Sequence, residues 1–160
     1  MSEFRVGSGF DVHRLESGRP MRLGGFEIAC DRGPVGHSDG DVLLHAVADA
    51  LLGAAGLDDL GTLFPDTDPR GAGAASARLL GDVLAKVKAA GWEIANVDAV
   101  VVAEVPRLAP HRERIRASLA RILGATPDRV NVKGKTAERL GALGAGDAIA
   151  VLATALLRKD

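Results

Sequence analysis

Residues 97–105 constrain the fold more than any other stretch, because Ala99-Val100-Val101-Val102-Ala103 is apolar at every position. Successive side chains of a strand face opposite sides, so such a run needs cover on both faces. Pro106 ends it, having no N–H to continue a ladder. Residues 4–13, 129–135 and 147–157 read as further strands, the last alternating alanine with larger aliphatics. Residues 21–29 are extended with Gly24-Gly25 in their middle, which predicts a hairpin or a bulge. Three helices are expected. The first covers residues 38–55, opened by a capping box of Ser38 and Asp41 and striped by Leu44, Val47, Leu51 and Ala54. The second covers residues 74–90 and stops at Gly91, and the third covers residues 110–123 and ends before Gly124. This order predicts a single α+β domain over residues 1–160. It is an α/β sandwich of a four-stranded mixed sheet plus a small hairpin, with helices on one face. Three helices cannot cover both faces of such a sheet, so a subunit interface is expected on the second.

At 160 residues the chain can bury roughly 70% of its unfolded surface without staples. Cys30 stands alone, which excludes an internal disulfide and suits a reducing compartment. Twenty basic against 21 acidic residues give a net charge of −1, so no global field draws the protein to nucleic acid or anionic lipid. No apolar run approaches the ~20 residues of a membrane span, and the first residues lack a secretory core. A cytoplasmic protein without nucleic-acid or membrane partners is expected. Arg112, Arg114, Arg116 and Arg121 on the third helix, with Arg107 before it, read as a solvated face. Aromatics are 3% of the chain, few for a protein that would grip rings by stacking.

Asp11-Val12-His13 lies on the first strand, where residues two apart share a side. His45 interrupts an apolar helix between Asp41 and Asp49, each four residues away and on the same side. The three residues Asp11, His13 and His45 can be read as hydrogen-bonded core groups. They can also be read as one carboxylate and two imidazoles leaving a fourth position open, as catalytic zinc requires, with Asp41 or Asp49 orienting His45. His37-Ser38-Asp39-Gly40 precedes a helix, where free N–H groups suit phosphate. Lys133-Gly134-Lys135-Thr136-Ala137-Glu138 ends a strand with cations, a hydroxyl and a carboxylate, a mix suited to phosphate and to magnesium on Glu138. The loop of residues 56–73 holds Asp66 and Asp68, which read as an acid/base pair or as part of a loop stiffened by Pro65 and Pro69.

These blocks run in register along nearly the whole chain: Asp11-Val12-His13-Arg14-Leu15, His37-Ser38-Asp39-Gly40-Asp41 with His45, Asp58-Asp59-Leu60-Gly61, Phe64-Pro65-Asp66-Thr67-Asp68-Pro69, Asn131-Val132-Lys133, and Thr136 with Glu138. Together they resemble the 2-C-methyl-D-erythritol 2,4-cyclodiphosphate synthase family of the methylerythritol phosphate route to isoprenoids. The resemblance implies a homotrimer whose sheets face a central cavity and whose active sites lie between adjacent subunits. It implies zinc on Asp11, His13 and His45, and magnesium or manganese on Glu138. The substrate would be 4-diphosphocytidyl-2-C-methyl-D-erythritol 2-phosphate, cyclised with loss of CMP. His37 and Thr136 match residues credited with transition-state stabilisation, and Ser38 matches a 2-phosphate contact. Asp59, Leu60 and Gly61 match contacts to the methylerythritol hydroxyls. Phe64, Pro65, Asp66, Thr67 and Asp68 match the loop over that moiety. Ala103, Pro106, Arg107, Leu108 and Ala109, with Lys135, Thr136 and Ala137, match the cytidine pocket.

Three positions depart from the family pattern. Ala142 stands where an aromatic is common, and Ala145 and Asp147 replace an arginine–glutamate pair in the segment that lines the cavity. The chain is therefore expected to keep the reaction and to lack a cavity site for isoprenoid diphosphates. Two rivals use the same residues: a zinc phosphodiesterase with a metal-bound water, and a trimeric binding protein that holds a nucleotide without turnover.

Overall fold

The computed structural model describes residues 1–36, 38–65 and 75–160. Strand β1 (Glu3–Ser17) pairs antiparallel with β7 (Ala148–Lys159), which pairs antiparallel with β5 (Glu93–Val102). β6 (Val130–Lys135) joins β5 in parallel, and β4 (Arg32–Pro34) pairs with the end of β1. The sheet is thus five-stranded in the order β4-β1-β7-β5-β6, one short strand more than the sequence predicts. Arg32-Gly33-Pro34 has the composition of a loop, and it pairs because β1 continues four residues past His13 to Ser17. The hairpin is β2 (Met21–Leu23) and β3 (Phe26–Ile28), joined by Gly24 and Gly25, both at positive φ as a two-residue turn demands.

The helices are α1 (Val42–Ala55), α2 (Leu60–Leu63), α3 (Ser76–Ala89), α4 (Arg112–Leu123) and α5 (Gly141–Gly144). The expected capping box at Ser38 is not the cap of α1. Asp41 is: its carboxylate accepts Leu44 N–H at 3.1 Å and, fully buried, also accepts Gly24 and Gly25 N–H at 2.9 and 2.7 Å. One side chain therefore ends the helix and holds the hairpin turn. Burial pushes the Asp41 carboxyl up, against the pull of those three donors.

One face of the sheet carries the core. Val97, Ala99 and Val101 of β5 and Ile149, Val151, Ala153, Ala155 and Leu157 of β7 are buried there. α1 crosses this face in backbone contact with β1. A Cβ placed on Gly9 would lie 2.0 Å from the Ala46 carbonyl oxygen, and one on Gly7 would lie 2.2 Å from that of Ala50. The opposite face has no helix among the described residues. There Val6, Phe10, Val12 and Leu152 are each at least half exposed, and Phe10, Leu152 and Val100 stand in one row.

The close crossing makes a prediction. Gly9→Ala forces a methyl into backbone that cannot yield, so it should destabilise the fold by about 3 kcal/mol or more. Gly81→Ala, in mid α3 with nothing within 4 Å of an added Cβ, should stabilise by up to about 1 kcal/mol. Urea midpoints of the two variants check both signs.

Candidate active site and metal centre

Asp11 and His13 project from the helix-covered side of β1, and His45 from the second turn of α1. Asp11 Oδ2 lies 2.9 Å from His13 Nε2 and 3.0 Å from His45 Nδ1. One ligand atom from each residue lies within 4.8 Å of the others, the one such cluster among the described residues. All three side chains are half-buried.

The other nitrogen of each ring is engaged away from the cluster. His13 Nδ1 lies 2.5 Å from the Val35 carbonyl, which can only accept, so Nδ1 carries the proton. Neutral His13 would then turn a lone pair toward the Asp11 carboxylate, which is stable only with a proton or a metal cation between them. His45 Nε2 meets Ser76 Oγ at 2.9 Å and Ser38 Oγ at 3.2 Å, and Ser76 donates to Asp39. Asp41 and Asp49 do not orient His45, contrary to the sequence reading: Asp41 is consumed by the cap and hairpin, and Asp49 accepts Leu60 N–H at 2.7 Å. Ser76, almost fully buried, was invisible to sequence reasoning because no spacing ties it to His45. Two imidazoles and a carboxylate converging through atoms free of other partners fit zinc with a position left for substrate.

Burial pushes the Asp11 carboxyl up, but hydrogen bonds and charge from His13 and His45 outweigh it and hold Asp11 well below its ordinary 3.8. The hydrogen bond to Asp11 raises His13 above its ordinary 6.5, against the opposing effect of burial.

A cavity of about 310 Å³ opens on the cluster, and Ser38, Leu60, Gly61, Phe64 and Pro65 help line it. Asp59 caps α2 by accepting Thr62 N–H at 2.7 Å. His37, Asp66, Thr67 and Asp68 lie outside the described residues.

A second cavity, of about 700 Å³, lies at the ends of β5 and β6. Ala103, Arg107, Leu108, Ala109, Arg112, Lys135 and Thr136 are among the residues that line it. Arg112 Nε donates to the Val132 carbonyl at 2.8 Å, so it is tied to the edge strand as well as solvated. Pro106 follows a cis peptide bond behind this wall. Ala137 and Glu138 form the turn just beyond, where Thr136 Oγ1 donates to Glu138 Oε1 at 3.2 Å. The two cavities share no lining residue. Asp11, Val151, Val101 and Gly134 stand in one row across the sheet, so three strand spacings, roughly 14 Å, separate the two walls.

The family model described as the YgbB family matches residues 4–158. A 2-C-methyl-D-erythritol 2,4-cyclodiphosphate synthase of Burkholderia ambifaria is 55% identical over 158 residues, covering 99% of this chain and 98% of the relative. That of Laribacter hongkongensis is 55% identical over 154 residues, covering 96% and 95%. A solved 2C-methyl-D-erythritol-2,4-cyclodiphosphate synthase with CDP bound superposes with TM-score 0.89 at 42% identity, covering 96% of this chain and 99% of that one. The bifunctional IspDF of Campylobacter jejuni gives TM-score 0.95 at 41% identity over the whole chain, which spans 43% of that protein.

The sign of the two shifts predicts how the metal-free cluster responds to pH. Asp11 stabilises the fold above its unfolded value of 3.8, and that contribution is lost as pH falls through its lower folded value. His13 stabilises below 6.5, and its contribution is lost as pH rises through its higher folded value. Chelator-treated protein should therefore lose thermal stability above about pH 6.5. Zinc should abolish that loss by replacing the proton, and His13→Asn should remove it; melting curves from pH 5 to 9 test this.

Proposed function

The chain belongs to the YgbB family, and we infer from that membership and from the Asp11–His13–His45 cluster that it converts 4-diphosphocytidyl-2-C-methyl-D-erythritol 2-phosphate to 2-C-methyl-D-erythritol 2,4-cyclodiphosphate and CMP. The carrying observation is the convergence of Asp11 Oδ2, His13 Nε2 and His45 Nδ1 beside a cavity of about 310 Å³. Zinc is the metal that donor set suits, and when bound it supplies a Lewis-acid contact to a phosphate oxygen. Glu138 holds magnesium or manganese, as its position beside Thr136 at the strand exit allows.

The reaction is an intramolecular phosphoryl transfer. An oxygen of the 2-phosphate forms a bond to the β-phosphorus, and the bond from that phosphorus to the α–β bridging oxygen breaks, releasing CMP. No enzyme nucleophile is consumed, so positioning and charge neutralisation carry the acceleration. Ser38 holds the 2-phosphate, and His37 and Thr136 stabilise the transition state. Leu60 and Gly61 of α2, with Asp59 at its cap, bind the methylerythritol hydroxyls, and Phe64, Pro65, Asp66, Thr67 and Asp68 cover that moiety. The cytidine lies in the second cavity, gripped by the backbone and small side chains of Ala103, Pro106, Leu108 and Ala109. Arg107, Lys135, Thr136 and Ala137 complete that pocket.

One protomer's two cavities stand too far apart across the sheet to share one diphosphate. The reading therefore requires the second cavity of a neighbouring subunit to meet the first. The apolar outer face supports a homotrimer built on β1, β5 and β7, with one catalytic domain per chain, acting in the cytoplasm.

The decisive test is the cyclisation assay with and without chelator. Cyclic product and CMP should form, stop on chelation and return with zinc, whereas linear hydrolysis products would establish the phosphodiesterase instead. Asp11→Ala and His45→Ala should lower zinc stoichiometry and cut turnover by roughly 10³-fold or more. A bound metal and full turnover in both variants would refute the assignment. Phe10→Asp should convert a particle of three 16.5 kDa chains to monomers by light scattering, inactive but still binding zinc.

A further inference from the structure

Glu104 follows β5 and has no ion-pair partner among the described residues. Its Oε1 instead accepts two backbone N–H groups, from Ala137 at 3.1 Å and Arg139 at 3.2 Å. Between those amides the chain turns sharply, with Leu140 N–H donating to the Ala137 carbonyl at 2.9 Å. The central residues, Glu138 and Arg139, have φ of 51° and 63°, the only positive values at non-glycine residues among those described. Two consecutive positive φ angles mark a type I′ turn, which asparagine and glycine enter readily and longer side chains do not.

Such a turn persists only where its surroundings over-determine it. Here two contacts do so. Glu104 bridges the amides on either side of Glu138 with a charged acceptor, stronger than a neutral one. On the other side Gly144 of α5 lets backbone press on backbone, since a Cβ there would lie 2.1 Å from the Arg139 carbonyl carbon. If the turn relaxed to negative φ, the Cα–Cβ bond of Glu138 would swing away from Thr136. The turn is what brings the Thr136 hydroxyl and the Glu138 carboxylate to 3.2 Å.

We propose that Glu104 is a positioning residue for the reaction: its carboxylate clamps the left-handed Glu138-Arg139 turn and so holds Glu138 and Thr136 in their working arrangement. This rests on the roles given above to Thr136 and Glu138. The clamp explains a carboxylate at the wall of the nucleotide cavity that neutralises no cation. It also explains how a turn without glycine keeps a glycine's conformation.

The test compares full-length Glu104→Ala, Glu104→Asp, Glu104→Gln, Arg139→Gly and the Glu104→Ala/Arg139→Gly double variant. The readouts are kcat, KM, the magnesium concentration for half-activation, and amide exchange in residues 136–140. Glu104→Ala should exchange faster in that segment, lose roughly 10- to 100-fold in kcat and need more magnesium, with KM changed by less than about threefold. Glu104→Asp, which keeps charge but loses reach, should behave likewise and serves if the alanine variant does not fold. Glu104→Gln retains an acceptor oxygen and should stay near wild type. Arg139→Gly alone should change little, yet it should recover most of the loss in the double variant, because glycine enters positive φ without strain. Faster exchange with unchanged kcat and magnesium dependence overturns the proposal, and so does a double variant no better than Glu104→Ala. Glu138→Gln measured alongside separates this from the underlying reading: full turnover in that variant removes the role of Glu138 itself.

Discussion

Backbone contact between α1 and β1 is the constraint from which the site follows. Gly7 and Gly9 have no side chain to hold the helix off, and α1 meets them with Ala46, Ala50 and Ala54. A helix seated that deeply is covered nearly all round, which is why eleven of its fourteen residues are buried. It also brings His45 to the level of Asp11, so that a carboxylate on a strand and an imidazole on a helix meet at 3.0 Å. The polar residues of so buried a segment must each be satisfied, and each does structural work. Asp41 holds the Gly24-Gly25 turn, Asp49 holds the start of α2 at Leu60, and His45 completes the cluster. The floor of the cavity is thus assembled by the hydrogen bonds that a buried helix requires.

The cluster is held from behind as well as in front. Val35 fixes the His13 tautomer, and Ser76 with Asp39 stands behind His45. Ligands whose rear nitrogens are anchored lose less freedom when a metal binds, and their orientation is set in advance. The same economy governs the far end of the sheet, where Glu104 and Gly144 hold a turn that its own residues would not choose.

Much of this was legible in the sequence because it depends on local periodicity. Asp11 and His13 share a side through strand alternation, and the run of Ala99 to Ala103 declared a strand needing cover on both faces. Gly24-Gly25 predicted a hairpin or a bulge, and the hairpin is what forms. What failed to appear depends on partners distant in the chain. Ser38 and Asp41 carry a capping-box pattern, but the helix starts at Val42 because the Asp41 carboxylate is claimed by amides 16 and 17 residues earlier. Ser76 acts on a histidine 31 residues away, and Glu104 on amides 33 and 35 residues away. No periodicity reports such pairs. β4 has the composition of a loop, since glycine and proline are poor strand formers, and only its neighbour β1 makes it a strand.

The outer face of the sheet decides how the chain must live. Val6, Phe10, Val12 and Leu152 are each at least half exposed in the single chain. Burying the half of each side chain that remains exposed is worth roughly 1–2 kcal/mol, a sizeable share of the stability of a domain. In the single chain, one face of the sheet is core and the other is an apolar surface that no helix among the described residues covers. The catalytic argument reaches the same surface independently. Roughly 14 Å of packed sheet, through Val151 and Val101, lies between Asp11 and the second cavity of the same chain, and no phosphate chain can cross it. The proposed trimer thus answers two requirements with one contact: it covers the apolar strands, and it brings the cytidine cavity of one subunit to the metal ligands of the next. Asp147 joins Arg32 of β4 at 3.0 Å, a contact that secures the edge strand.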